Sequence, residues 1–185
     1  ADAHRGFMTL RKLRLRHRRF DGEWSAILDR EVAMRGPACG VLPYDPARDA
    51  VALIRQFRPA LHLATGAGWT WEAPGGGVAE GEEPSAAAVR ELMEETGLNA
   101  KTLFSIGATA PRPAAFDEVV HLFVARVDIP REVVRAGASD EHEDIEMRRF
   151  SRAQALAMAT DGRIVSAPTM VALMTLDRQR GRMFR

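Results

Sequence analysis

The chain contains one cysteine, Cys39, and it lacks any long apolar run. A single cysteine excludes an internal disulfide framework and is typical of a reducing compartment. A membrane-spanning helix needs about 20 mostly apolar residues, so we expect a cytoplasmic protein that does not use a membrane as partner. Lys and Arg (26) nearly balance Asp and Glu (25), and the net charge of +1 points to no particular partner.

The length and composition indicate one globular domain of the α/β class. The 185 residues suffice for one sizeable core but are few for two. Apolar residues make up 46% and charged residues 28%, which are ordinary globular values. Segments with strand character are interleaved with two or three helical segments, so we expect a mixed sheet. The predicted strands after the N-terminal region are 39–43, 51–54, 102–109 and 119–127.

Three other segments carry local signals. Residues 59–70 are expected to form a mobile loop. Ser151 to Gln154 have the pattern of a capping box, which predicts a helix start. Residues 166–178 are expected to form the last helix.

The N-terminal region has the pattern of a hairpin with a basic face. Residues 10–20 alternate in part between apolar and charged side chains, as a half-buried strand does. Asp21-Gly22 is a strong turn signal, so residues 24–32 are expected to form the returning strand. The cluster of Arg and Lys side chains is either a nucleic-acid arm or the charged face of an edge hairpin. We favour the edge hairpin, because no aromatic spacing suggests base stacking.

Residues 84–96 are predicted to form a helix with two different faces. Pro84 suits the first turn and Gly97 suits a left-handed stop. The expected packing face holds apolar side chains, namely Ala88, Val89, Leu92 and Met93. Glu91, Glu94 and Glu95 fall within about 100° of one another on the other face. Repulsion between them is expected, and a hard divalent cation is the natural neutralising partner. A solvated acidic surface is the alternative interpretation.

The spacing around this helix resembles a known motif. From Gly76 the chain reads Gx5Ex7REUxEExGU, where U is apolar, with Glu82 and Arg90 in their places. This pattern resembles the Nudix box. The resemblance implies a Nudix-type α/β/α sandwich with a mixed sheet, and a pyrophosphohydrolase that acts on a nucleoside diphosphate derivative with Mg²⁺ or Mn²⁺. We therefore predict an N-terminal antiparallel β hairpin or sheet for dimerisation at 1–36 and a Nudix hydrolase domain at 37–185.

Further segments narrow the resemblance to one branch of this family. Residues 30–36, 53–58, 71–76 and 116–123 are similar to bacterial ADP-ribose pyrophosphatases, which implies hydrolysis of ADP-ribose to AMP and ribose 5-phosphate. The family usually has Ser-Pro-Gly before its catalytic loop, whereas residues 110–113 here read Ala-Pro-Arg-Pro. The alternatives are a pyrophosphatase for another nucleotide sugar such as GDP-mannose, an RNA-processing hydrolase, or a binding module without turnover.

The glutamates and the glycine loop supply the predicted metal ligands. Glu91 and Glu95 are the first choices, followed by Glu94 and the carbonyl group of Gly75. Arg90 and Glu94 also belong to the predicted catalytic set. Arg90 is expected to act together with Glu82, by orienting the loop and the helix rather than by touching substrate.

Four residues are predicted to bind substrate. Arg58 and Arg30 could clamp phosphate or sugar, because guanidinium forks match phosphate oxygens, although a structural ion pair is the alternative for each. Glu72 is expected to hydrogen-bond the nucleoside. Phe7 is expected to stack on the base, with simple packing as the alternative.

The predicted general base lies on the loop before the strand at 119–127. Glu118 is placed to accept a proton that the helix glutamates, as ligands, cannot take, and Asp117 is its close rival. The N-terminal hairpin has too little apolar surface to be stable alone. The resemblance implies a homodimer with exchanged N-terminal sheets, in which Arg30 reaches the partner's site.

Overall fold

The fold is seen in a computed structural model, in which residues 2–6, 8–131, 134–136 and 144–184 are described. The strands are β1 (Asp2–Arg5), β2 (Thr9–Leu15), β3 (Leu28–Met34), β4 (Ala38–Asp45), β5 (Ala50–Phe57), β6 (Trp69–Glu72), β7 (Thr102–Thr109), β8 (Val120–Arg126), β9 (Val134–Ala136) and β10 (Ile145–Ser151). The helices are α1 (Pro59–Thr65), α2 (Pro84–Thr96), α3 (Arg152–Thr160) and α4 (Ala167–Met183). No helix within these ranges is long and apolar enough to cross a bilayer.

A mixed seven-stranded sheet organises the larger part of the chain. Its order is β7-β8-β4-β5-β10-β9, and β6 also pairs with β5. Strands β4 and β8 are parallel, and the other pairs are antiparallel. Strands β4, β5 and β8 are almost continuously apolar, as expected for strands that are covered on both faces.

Helices cover both faces of this sheet. Side chains of a strand alternate between faces, so Ala52 and Ile54 pack with Leu92 of α2, whereas Leu53 packs with Met158 of α3 and Leu173 of α4. Helices α2, α3 and α4 therefore each bury apolar side chains against one half of the core. The predicted α/β/α sandwich with a mixed sheet is confirmed.

The N-terminal region forms a separate antiparallel sheet, as predicted, with β1-β2-β3 as its order. Strands β2 and β3 are shorter than expected, because an arm of residues 16–27 connects them. The turn at its tip is closed by a hydrogen bond from the Gly22 amide to the Arg19 carbonyl (3.0 Å). Beside it, the guanidinium groups of Arg16 and Arg18 lie 4.7 Å and 4.3 Å from the centre of the Trp24 ring. Two basic side chains of the arm are therefore packed against a tryptophan of the same arm.

The expectation of a loop over residues 59–70 is wrong. Helix α1 begins at Pro59 and is ended by Gly66, whose φ of 77° is left-handed and whose amide donates to the His62 carbonyl (2.7 Å). The helix buries none of its residues, so it has no apolar stripe that a periodicity argument could detect. Residues 69–72 then form β6 beside β5.

Candidate active site

Helix α2 turns one residue of its acidic face, Glu95, into the protein. Glu95 is only 3% exposed, whereas Val89 and Met93 are 43% and 41% exposed, so the expected packing face is wrong for these two residues. A buried carboxylate is costly unless it is hydrogen-bonded. The Gly75 amide donates to Glu95 Oε2 at 2.8 Å, and Gln56 Nε2 lies 3.5 Å from Glu95 Oε1. These partners explain why the helix can bury an acidic residue here.

The glycine loop before α2 runs close to β4 and to the helix. The Val41 amide donates to the Pro74 carbonyl, and the Cys39 amide donates to the Gly76 carbonyl, both at 2.8 Å. A Cβ atom on Gly75 would collide with the backbone of β4, at the Cys39 carbonyl, and one on Gly76 would collide with the carboxylate of Glu91. Gly75 is therefore required by the close approach of backbone, whereas a Cβ on Gly76 would instead displace the side chain of a predicted metal ligand.

Arg90 is the centre of the charged cluster. Its Nη1 donates to Glu91 Oε1 at 2.8 Å and to Glu94 Oε2 at 3.0 Å, and its Nε donates to Glu82 Oε1 at 3.1 Å. Its Nη2 also donates to the Gly77 carbonyl at 3.2 Å. These carboxylates raise the pKa of Arg90, and the hydrogen bond from Arg90 lowers the pKa of Glu82. Arg90 thus connects the helix glutamates to the loop, which is what an orienting role requires.

A cleft of about 830 Å³ opens beside this cluster, between the glycine loop, α1 and α4. Seven of the predicted site residues line it: Arg58, Glu72, Gly75, Arg90, Glu91, Glu95 and Glu118. They come from four separate segments of the chain. The cleft, defined by these residues, is the candidate active site.

Arg58 and Glu72 form an ion pair inside the cleft. Arg58 Nε donates to Glu72 Oε1 at 2.7 Å. Glu72 is 8% exposed, and its burial raises its pKa more than the charge of Arg58 lowers it. The Arg58 side chain remains 43% exposed, so it can meet a ligand while it holds the carboxylate.

The two candidates for the general base have different environments. Asp117 Oδ1 accepts the backbone amides of Arg35 at 2.6 Å and Gly36 at 3.1 Å, and these bonds lower the pKa of Asp117. Asp117 therefore fastens its loop to the end of the N-terminal sheet. Glu118 lines the cleft. The geometry favours Glu118 as the group that can reach a substrate.

Three predicted site residues are not among those that line the cleft. Glu94 points to the outside of α2, where its side chain is 46% exposed. Arg30 lies on β3, and its Nη1 donates to the carbonyl group of Asp29 in its own sheet. Phe7 lies outside the described residues. Their roles stay predictions.

The sequence reasoning missed one wall of the cleft, which is the beginning of α4. Ser166, Pro168, Thr169 and Ala172 line this wall. Thr169 Oγ1 accepts the Ala73 amide at 2.9 Å, so α4 holds the segment that leads into the glycine loop. Ser166 and Pro168 signal a helix start, but no signal in the sequence says where that start points.

The chemistry of the cleft fits a hard divalent cation. Glu91 and Glu95 provide carboxylate oxygens, the donors that Mg²⁺ prefers, and Gly75 lies beside them. Within the described parts of the chain, no three His, Cys, Asp or Glu side chains already converge as a ligand set. Arg90 holds Glu91 in the arrangement seen here.

Comparison with known proteins assigns the family. The model of the NUDIX domain matches residues 34–171, and the chain belongs to this family. It is 36% identical to an ADP-ribose pyrophosphatase of Escherichia coli (strain K12) over 174 residues, which are 94% of this chain and 83% of that protein. An ADP-ribose pyrophosphatase of Haemophilus influenzae is 32% identical over 180 residues, or 94% and 82% of the two chains.

Two further similarities complete the comparison. A GDP-mannose pyrophosphatase of Citrobacter koseri is 31% identical over 144 residues, which cover 78% of this chain and 75% of that protein. A crystal structure of an ADP compounds hydrolase superposes with a TM-score of 0.74 at 21% identity, over 98% of this chain and 92% of the other. The structural match supports the fold alone. The predicted resemblance to bacterial ADP-ribose pyrophosphatases is confirmed.

Proposed function

We propose that the protein hydrolyses the pyrophosphate bond of ADP-ribose to give AMP and ribose 5-phosphate. The observation that carries this proposal is the cleft, which combines carboxylates at Glu91, Glu95 and Glu118 with the guanidinium group of Arg58. Acids can hold a cation and accept a proton, and a guanidinium can hold phosphate, so one cleft contains the parts that pyrophosphate hydrolysis needs. The similarity to the E. coli ADP-ribose pyrophosphatase supports the choice of substrate.

The proposed cofactor is Mg²⁺, with Mn²⁺ as a substitute. Glu91 and Glu95 would hold it together with the Gly75 carbonyl, and Glu94 would join them after leaving Arg90. A divalent cation supplies neutralisation of the pyrophosphate charge and activation of water. The hydrogen bond from the Gly75 amide keeps the Glu95 carboxylate at the loop. Two of the predicted metal ligands, Glu95 and Gly75, are therefore already adjacent.

Glu118 is the proposed general base. Its carboxylate would accept the proton of the attacking water, because Asp117 is fastened to the backbone of residues 35 and 36. Arg90 would hold the loop and the helix in a fixed relative position through its hydrogen bonds to Gly77, Glu82 and Glu91.

Substrate recognition is proposed to use both sheets. Arg58 would bind phosphate while its ion pair positions Glu72, whose buried carboxyl group would hydrogen-bond the nucleoside. Phe7 would stack on the base. Arg30 is not among the residues that line the cleft of its own chain, and we infer that it serves the site of the partner in a homodimer with exchanged N-terminal sheets. A cytoplasmic location agrees with the single cysteine, which is buried.

The second candidate function is hydrolysis of another nucleotide sugar, because the chain is also similar to a GDP-mannose pyrophosphatase. The test is to compare kcat/KM for ADP-ribose, GDP-mannose and a capped RNA with Mg²⁺, and to identify the released nucleotide by chromatography. We expect ADP-ribose to be preferred by at least tenfold, with AMP as product. A preference for GDP-mannose with GMP as product would replace the first proposal by the second.

A further inference from the structure

A second pocket lies at the end of β5 that is remote from the cleft. It has a volume of about 440 Å³ and is lined by Arg48, Ala50, Arg131, Arg149, Ser151 and Gln154. We call it the arginine pocket. Strand β5 is eight residues long, so at about 3.3 Å per residue its first and last Cα atoms lie about 23 Å apart. Ala50, its first residue, lines the arginine pocket, and Arg58, the residue after its end, lines the cleft; no described residue lines both.

The described lining of the arginine pocket carries positive charge. Three of the six described residues that line it are arginines, and none of these six is acidic. Arg48 pairs with the Asp45 carboxylate, at 2.7 Å between Nη1 and Oδ2, and its side chain is still 52% exposed. The Asp45 carboxylate also accepts the Ala47 amide at 3.0 Å and the Ile129 amide at 3.3 Å, so it is shared among several donors.

Arg149 gives the strongest indication of a ligand. Its Nη1 is buried and has no hydrogen-bond partner among the described residues. Leaving a charged donor buried without an acceptor is unfavourable, so such groups are rare in folded proteins. Arg149 also lines the arginine pocket, so an acceptor bound there would lie beside a guanidinium group that the protein leaves partly unsatisfied.

The start of α3 adds to the positive potential. Ser151 is the residue that caps this nine-residue helix, and the capping box with Gln154 fixes its first turn. The N-terminal end of a helix carries a partial positive charge of about 0.5. Both capping residues line the arginine pocket, so the helix end and the guanidinium groups act on the same volume.

We propose that the arginine pocket binds a phosphate-type oxyanion, either inorganic phosphate or a phosphate monoester. Guanidinium forks match the oxygens of such groups, and the volume can accept a monoester as well as the free ion. This inference goes beyond the proposed hydrolysis, and its test uses no nucleotide sugar. If phosphate does not bind to the arginine pocket, the proposed hydrolysis is unaffected. If ADP-ribose is not hydrolysed, the proposed phosphate site is likewise unaffected.

The test is a calorimetric titration of the protein with inorganic phosphate, in excess chelator and at constant ionic strength, so that no cation can bring phosphate to the cleft. We expect saturable binding of one phosphate per chain. Arg149→Met and Arg131→Met should each weaken it by tenfold or more. The matched control Arg163→Met removes an arginine that pairs with Asp161 and does not line the arginine pocket, and it should change the affinity by less than twofold.

Arg131 is exposed, so Arg131→Met carries the test if Arg149→Met does not fold. Unsaturable binding to the unmodified protein would overturn the proposal, and so would equal affinities for Arg131→Met and Arg163→Met. Loss of binding in Arg58→Met would assign the phosphate to the cleft and would overturn it too. Titration with glycerol 3-phosphate, a monoester that is not a proposed product of the cleft, distinguishes the two sources, because tighter binding than that of inorganic phosphate identifies the monoester as the ligand.

Discussion

Replacement of Glu118 by glutamine tests the assignment of the general base most directly. Glu118→Gln preserves the size and the shape of a partly buried side chain, so the fold and the cleft should not change. It removes the negative charge and with it the ability to accept a proton. A positioned base contributes about 10²–10⁴-fold to a rate, which corresponds to about 2.7–5.4 kcal/mol in the activation free energy. We expect kcat to fall by this factor.

Asp117→Asn is the matched comparison on the neighbouring residue. The amide oxygen of asparagine can still accept the backbone amides of Arg35 and Gly36, so most of the loop geometry should persist. The loss of charge weakens these two bonds, because hydrogen bonds to a carboxylate are about twice as strong as neutral ones. We therefore expect a smaller loss of kcat than for Glu118→Gln, within about tenfold.

The assay is steady-state release of AMP from ADP-ribose across a range of Mg²⁺ concentrations. Glu118→Gln should leave KM and the Mg²⁺ dependence within a factor of two or three, since Glu118 is not a proposed ligand. Thermal unfolding of both variants controls for stability. A loss below about fivefold for Glu118→Gln, together with a far larger loss for Asp117→Asn, would reverse the assignment of the base.

Three other expectations concern the ligands, the glycine loop and the assembly. Glu95→Gln keeps an acceptor for the Gly75 amide but loses a ligand charge, so it should fold normally and lose at least 10²-fold in rate. Full activity of the unmodified protein in excess chelator would refute the metal requirement. Gly76→Ala should displace the Glu91 carboxylate and lower kcat/KM by tenfold or more, with little change in melting temperature. Gly75→Ala should lower the melting temperature, because its Cβ meets backbone. Equal changes of kcat/KM and of melting temperature in the two variants would contradict this reasoning. Sedimentation should show a homodimer, and a fully active monomer would disprove the exchanged N-terminal sheets.

The sequence predicted those parts of the fold that depend on local signals. Pro84 and Gly97 mark the ends of α2 correctly, and the capping box at Ser151 begins α3 as expected. The apolar runs at β4 and β5 are strands that are buried on both faces. Local preferences sufficed here because each signal agrees with the tertiary packing around it.

The orientation of α2 could be predicted only in part, because it also depends on partners that are distant in sequence. Apolar periodicity placed Ala88 and Leu92 correctly in the core, but it also favoured Val89 and Met93, which are exposed, and the helix buries Glu95. Gln56 and Gly75 supply the donors that allow this, and they are 39 and 20 residues away in the chain. These contacts lower the cost of burying a carboxylate, so the pattern of apolar residues within the helix does not by itself decide its orientation.

The same reasoning explains why the environment of Glu118 was not evident from its motif. The loop that carries it is held by Asp117, whose partners Arg35 and Gly36 precede it by 82 and 81 residues. A second connection is the Ala33 amide, which donates to the Ala115 carbonyl at 2.8 Å. The end of the N-terminal sheet thus fixes the loop that presents the proposed base to the cleft. A sheet that the sequence indicated only as a means of dimerisation is therefore also part of the support of the candidate active site.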